Sequence, residues 1–142
     1  MQHQQPPTFR GRSIGITTVS ALQFLIGGFH VFFGFWLLTA SRSITPFFSL
    51  ESSTIYCIYT ITFGLGTAIL SCGIWLQRNW GPLGTIALSM FVVIVDSLAV
   101  LDLPTIPGVP KFAALTEILY SIVVSAYLLQ QLKIKTNRKE TS

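Results

Sequence analysis

Residues 54–76 read TIYCIYTITFGLGTAILSCGIWL, a run without a single charged side chain. A helix of that length rises about 35 Å at about 1.5 Å per residue, enough to cross roughly 30 Å of hydrocarbon. Three further long apolar runs, residues 14–40, 82–101 and 112–132, flank it and leave only short connections between them. A chain of 142 residues has no water-soluble core large enough to cover four such helices. The expected fold class is therefore all-α: residues 1–142 form a single membrane domain, a four-helix transmembrane bundle of up-down-up-down order, with the lipid bilayer as its first partner.

Composition agrees. Hydrophobic residues make up 51% of the chain and charged residues 10%, against roughly 25% charged in a soluble domain, and the mean hydropathy is +0.64. A net charge of +4 would suit nucleic acid, but the charges stand at span ends and tails rather than along one face, so no nucleic acid is expected. Placing both termini inside puts Arg10, Arg12, Arg78, Lys133, Lys135, Arg138 and Lys139 on the cytoplasmic side and only Arg42 and Lys111 outside. That asymmetry follows the positive-inside rule and predicts a multi-pass protein of the cell membrane with cytoplasmic N- and C-termini. The apolar stretch after Arg12 runs well past the length of a signal-peptide core, so it reads as a span. Residues 1–12 read as an unstructured cytoplasmic leader and 133–142 as a basic tail that frays.

The connections are short. Residues 43–48, SITPFF, together with Trp36, suit the outer headgroup level, where amphipathic rings collect. The turn 77–82, QRNWGP, makes the second and third spans antiparallel neighbours. Asn79 and Gly81 are expected to supply its turn chemistry, and Pro82 to open the third span. Trp75, Arg78 and Trp80 form the matching inner anchor. Between the third and fourth spans lies LPTIPGVP, stiffened by three prolines.

Small residues predict where helices touch, because in lipid the close approach of backbones replaces the hydrophobic drive. Gly64, Ala68 and Cys72 form a small-xxx-small ladder on the second span, and Gly27 and Gly34 a seam on the first; both are expected to be buried. Gly27, Gly34, Trp36 and Leu37 recur as Gly66, Gly73, Trp75 and Leu76, a pattern that ordinary membrane-helix composition explains better than duplication. Cys57 and Cys72 are about 22 Å apart along one helix, too far for a disulfide, and read as packing residues. The group Phe29, Phe32, Phe33 and Phe35 surrounds its helix and reads as lipid contact and packing.

Three ionisable side chains lie inside spans: His30, Asp96 and Glu117. Such groups are costly in hydrocarbon and mark a site by default. Asp96 stands six residues before Asp102 and Glu117 six after Lys111, so both lie about 9 Å below the same boundary. The sharper reading joins them with His30 as a polar cluster that binds a proton, a cation or a polar ligand. In the plainer one each bonds to a neighbouring helix, with Lys111 and Arg42 snorkelling in to neutralise the carboxylates. Serines and threonines such as Thr17, Ser20 and Thr60 are expected to bond to backbone or to bridge helices. No phosphate loop, dinucleotide fingerprint, metalloprotease helix or serine elbow is present, so neither enzyme activity, a cofactor nor a metal is expected.

From Gly64 onward, the order of features resembles that of small prokaryotic four-helix membrane proteins of domain-of-unknown-function and DoxX-like type. The likeness is carried by Gly73-Ile74-Trp75-Leu76, the basic turn Gln77-Arg78-Asn79-Trp80-Gly81, a span with Ser89 and a proline-containing loop. It implies topology and no mechanism. The leading functional expectation is a small polytopic protein acting by helix association, as a homo-oligomer or as an accessory subunit of a membrane complex. The alternative is a small proton- or cation-coupled transporter or channel built on the acidic cluster.

Overall fold

A computed structural model of the chain describes residues 8–9, 12–40, 54–104, 106 and 109–140. Four helices carry the fold: α1 (Ile14–Ala40), α2 (Thr54–Trp75), α3 (Trp80–Val100) and α4 (Lys111–Glu140). All four are long and apolar enough to cross a membrane. Arg42 and the aromatic segment 43–48 lie outside the described residues.

Residue pairs across the helix contacts define the packing. Between α1 and α2, Ser20 meets Ser71, Gly27 meets Gly64 and Ala68, and Gly34 meets Ile61, so one number rises as the other falls. Gly84 beside Leu70 and Gly81 beside Gly73 give α2 and α3 the same antiparallel relation. Helix α4 packs on α3 and reaches α1 at two points, where Gly15 backs onto Tyr127 and His30 onto Glu117.

Each helix buries a narrow stripe. On α2 the buried positions Cys57, Thr60, Gly64, Thr67, Ser71 and Ile74 alternate steps of three and four, and Ser20, Gln23, Gly27, Gly34 and Leu37 follow the same rhythm on α1. That alternation keeps a seam aimed at its neighbours along a helix of 3.6 residues per turn. What fills the seam is small or polar, including Ser20, Gln23, Thr67, Ser71, Thr85, Ser89 and Asp96, while Leu25, Phe32, Leu119 and many other large apolar side chains face outward. This inverted distribution suits a hydrocarbon surround, in which large apolar groups need no burial and polar ones do. Trp36, Trp75, Trp80 and Arg78 are exposed near helix ends, the positions expected of interface anchors.

The seam corrects one expectation. Cys72 is exposed rather than part of a buried ladder with Gly64 and Ala68, and Ser71 takes the inward place. Steps of four drift by about 40° each around the helix, so the third rung has turned away. Ser71 Oγ donates to the Ser20 carbonyl at 2.7 Å and Ser20 Oγ to the Ser71 carbonyl at 2.9 Å, a reciprocal clamp between α1 and α2. The sequence echo is matched only in part: Gly34 and Gly73 are both buried and Trp36 and Trp75 both exposed, but Leu37 is buried and Leu76 exposed.

The α2–α3 turn also differs from expectation. Its left-handed residue is Gln77, with φ 56°, whereas Asn79 is helical and Gly81 lies buried within α3, at its closest approach to α2. The Arg78 amide donates to the Gly73 carbonyl at 2.9 Å and the Gln77 amide to the Ile74 carbonyl at 3.0 Å, the paired bonds of a Schellman ending. Helix α3 ends in the same way at Asp102, with φ 57°. It begins at Trp80, so Pro82 still sits in a first turn whose amides need no helical acceptor.

At the termini, Thr8 pairs with Ser13 and Phe9 with Arg12 in a short antiparallel ladder, where the leader was expected to be unstructured. The second strand runs straight into α1, so little closure entropy opposes the pairing. Helix α4 continues to Glu140 rather than fraying after residue 132. No glycine or proline interrupts it, and cations suit the carbonyl end of a helix.

Candidate functional site

Three helices bring His30, Glu117 and Asp96 together. His30 belongs to the seam of α1, where its Nδ1 lies 2.8 Å from the Ile26 carbonyl oxygen, one turn back. A carbonyl only accepts, so Nδ1 carries the hydrogen and Nε2 points across the bundle. There it meets Glu117 Oε1 on α4 at 3.2 Å. The imidazole is fixed further by the ring of Phe63, 5.0 Å away in edge-to-face contact. At Gly64, a β-carbon would lie 2.9 Å from the His30 Cβ, so this glycine leaves α1 room to bring His30 inward.

Asp96 stands on the buried stripe of α3 with 0% of its surface exposed. Neither of its oxygens accepts a hydrogen bond from an N–H or O–H among the described residues. Burial is the largest influence on it, with the Glu117 carboxyl next and His30 as its other ionisable neighbour. Glu117 thus acts on both, through a direct contact with His30 and through the charge it sets near Asp96. Two carboxylates are both acceptors, and they become a hydrogen-bonded pair only when one carries a proton. The Nε2–Oε1 contact likewise holds one proton, on the imidazole as an ion pair or on the carboxyl as a neutral pair. The arrangement therefore brings three groups that can exchange protons together from three helices.

Lys111 does not neutralise this group. Its Nζ lies 2.6 Å from Asp102 Oδ2, in an exposed pair that ties the end of α3 to the start of α4. Arg42 lies outside the described residues. Among the described residues, no set of three or more His, Cys, Asp and Glu side chains is arranged to hold a metal ion.

Around the cluster the bundle is uneven. A half-open cleft of about 330 Å³ lies between α1, α2 and α4 and has His30 and Glu117 in its wall. Phe29 and Phe33, stacked at 5.9 Å, also line it with Tyr56, Phe63 and Tyr120. Two of the four phenylalanines that read as lipid contact thus line the cleft, with Phe29 largely exposed beside it, while Phe32 and Phe35 are exposed and do not line it. Asp96 is not among the residues that line the cleft. Ile106 and Val109 from the α3–α4 connection cover this end, packed against Leu37, Tyr56 and Cys57.

Toward the opposite end the interior stays polar. Thr17 Oγ1, Gln23 Oε1, Thr67 Oγ1, Thr85 Oγ1 and Ser125 Oγ are buried without a partner among the described residues. Buried polar atoms of this kind bind internal water in folded proteins. Thr85 and Asp96 share a face of α3 about 16 Å apart, with Ser89 and the apolar Val92 buried between them. Sequence reading identifies the three ionisable residues but misses the cleft and the buried unpartnered polar side chains; the three-four spacing of polar residues is the signal that would have found the latter. No family model, curated protein or solved structure matches this chain.

Proposed function

We propose that this chain is a non-enzymatic, multi-pass protein of the cell membrane that binds protons within the bilayer and passes them on, as a small proton- or cation-coupled transporter or channel. The observation carrying this reading is the meeting of Asp96, Glu117 and His30 from three helices, with Asp96 fully buried and short of donors. A carboxylate in such a place needs a proton or a cation beside it. Sequence alone favours action by association; the assembled cluster moves the transport reading ahead of it.

In this reading the helices cross in up-down-up-down order with both termini cytoplasmic, as the uneven distribution of Lys and Arg supports. Tags at the two ends, probed with protease in sealed right-side-out vesicles, are expected to be protected together. Tags reporting from opposite compartments would refute the topology.

Transport is tested by reconstituting the full chain in vesicles loaded with a pH-sensitive dye and imposing an ion or pH gradient. The wild type is expected to move protons at a rate that falls roughly tenfold or more in Glu117→Gln and in Asp96→Asn, a loss in the range of removing a proton-transfer group. Equal rates in wild type, both variants and protein-free vesicles would end the proposal.

A further inference from the structure

We propose that the cleft between α1, α2 and α4 binds a lipophilic organic cation, a protonated or quaternary amine or a phosphonium with an apolar body, in exchange for one proton held by Glu117 and His30. This inference rests on the proton-binding reading and names the substrate class of the same site.

Three features single out that ligand. The cleft, at about 330 Å³, has the size of a small organic molecule rather than a bare ion. Its walls include the rings of Phe29, Phe33 and Phe63, a side-chain type that attracts cations. Its acidic group, Glu117, is part-buried with 26% of its side chain exposed, so a bound cation gains a counter-charge in a setting that screens it weakly. A neutral apolar guest would leave that carboxyl unused, and an anion would be repelled. The cleft is half-open and bounded by helices whose outer faces are apolar, so a guest dissolved among lipid chains reaches it sideways.

The exchange balances in charge. Before binding, one proton lies between His30 Nε2 and Glu117 Oε1, while Nδ1–H donates to Ile26. When the cation arrives, that proton departs and Glu117 becomes the counter-ion of the guest. His30 remains neutral as the Nδ1–H form and does not repel it. One positive charge enters as one leaves. The other titratable groups facing Glu117 are Asp96 from α3, Tyr56 and Tyr59 from α2 and Tyr120 from its own helix.

The test is calorimetric titration of the full chain in mild detergent with tetraphenylphosphonium and, separately, with uncharged triphenylphosphine oxide. Repeating it in buffers of different ionisation enthalpy counts the protons released. Tetraphenylphosphonium is expected to bind at least tenfold more tightly than the neutral compound and to release about one proton per molecule near neutral pH. Glu117→Gln is expected to weaken the cation roughly 30-fold and abolish proton release, leaving the neutral compound unaffected. Phe29→Leu is expected to weaken the cation about threefold to tenfold. Equal affinity for the two compounds in the wild type would overturn the inference even if Glu117→Gln failed to fold, because the cleft would then be an apolar hollow. Unchanged cation binding in a folded Glu117→Gln would overturn it as well. If the cation fails to bind while Glu117→Gln and Asp96→Asn still abolish proton movement in vesicles, only the ligand assignment falls; if proton movement is also insensitive to them, both readings fall.

Discussion

Gly64→Leu is expected to stop α1 and α2 from closing and to leave little folded protein in mild detergent. A β-carbon at Gly64 would stand 2.7 Å from the Gly27 carbonyl oxygen and 2.8 Å from the Val31 amide nitrogen. At Gly27 the same construction meets the Gly64 carbonyl at 2.7 Å and the Ala68 amide nitrogen at 2.8 Å. These contacts are backbone on backbone, so no side chain can swing aside. Even Gly64→Ala should cost about 1–3 kcal/mol, the usual range for overpacking. Gly28 is the internal control: nothing lies within 4 Å of where its β-carbon would be. Gly28→Leu should therefore stay within about 0.5 kcal/mol of wild type. Thermal or denaturant unfolding in detergent checks the pair. A Gly64→Leu protein as stable as Gly28→Leu would show that the two helices do not approach as described.

The second large effect has the opposite sign. Asp96→Asn is expected to leave the protein as stable as wild type or to stabilise it by about 1–3 kcal/mol while removing proton movement. A buried carboxylate without donors carries an uncompensated desolvation cost, and an amide of the same shape can donate to Glu117 instead. A merely structural Asp96 would behave the other way, with its loss destabilising the bundle. Unfolding measured beside proton flux separates the two. A variant that is markedly less stable, or that still moves protons at the wild-type rate, would count against the proposed role.

The span count and the identity of the three ionisable residues were legible because each depends on local composition. Twenty apolar residues in a row, or one aspartate among them, need no knowledge of the neighbouring helix. The first span was bounded at both ends, Ile14 and Ala40, because polar chain flanks it sharply. Features that depend on rotation about a helix axis were harder. Cys72 fell off its ladder and Ser71 replaced it, because spacing by four and spacing by three and four diverge within two turns. Gln77 rather than a glycine holds the left-handed turn residue, since helix-ending hydrogen bonds at Gly73 and Ile74 fix the backbone regardless of side-chain preference. Lys111 was weighed as a neutraliser of Glu117 and instead pairs with Asp102, its nearer partner across the connection. The aromatic cleft was illegible for a related reason: Phe29 and Phe33 look the same in sequence as Phe32 and Phe35, and only the position of α4 distinguishes them.

The central claim is that Asp96, Glu117 and His30 hold protons jointly inside the bundle. It is tested most directly by pH-difference infrared spectroscopy of the full chain in lipid vesicles, read in the carboxylic C=O region. The account predicts a band from a protonated buried carboxyl that disappears in Asp96→Asn and shifts in both Glu117→Gln and His30→Gln. A spectrum in which wild type and all three variants are superimposable would contradict it.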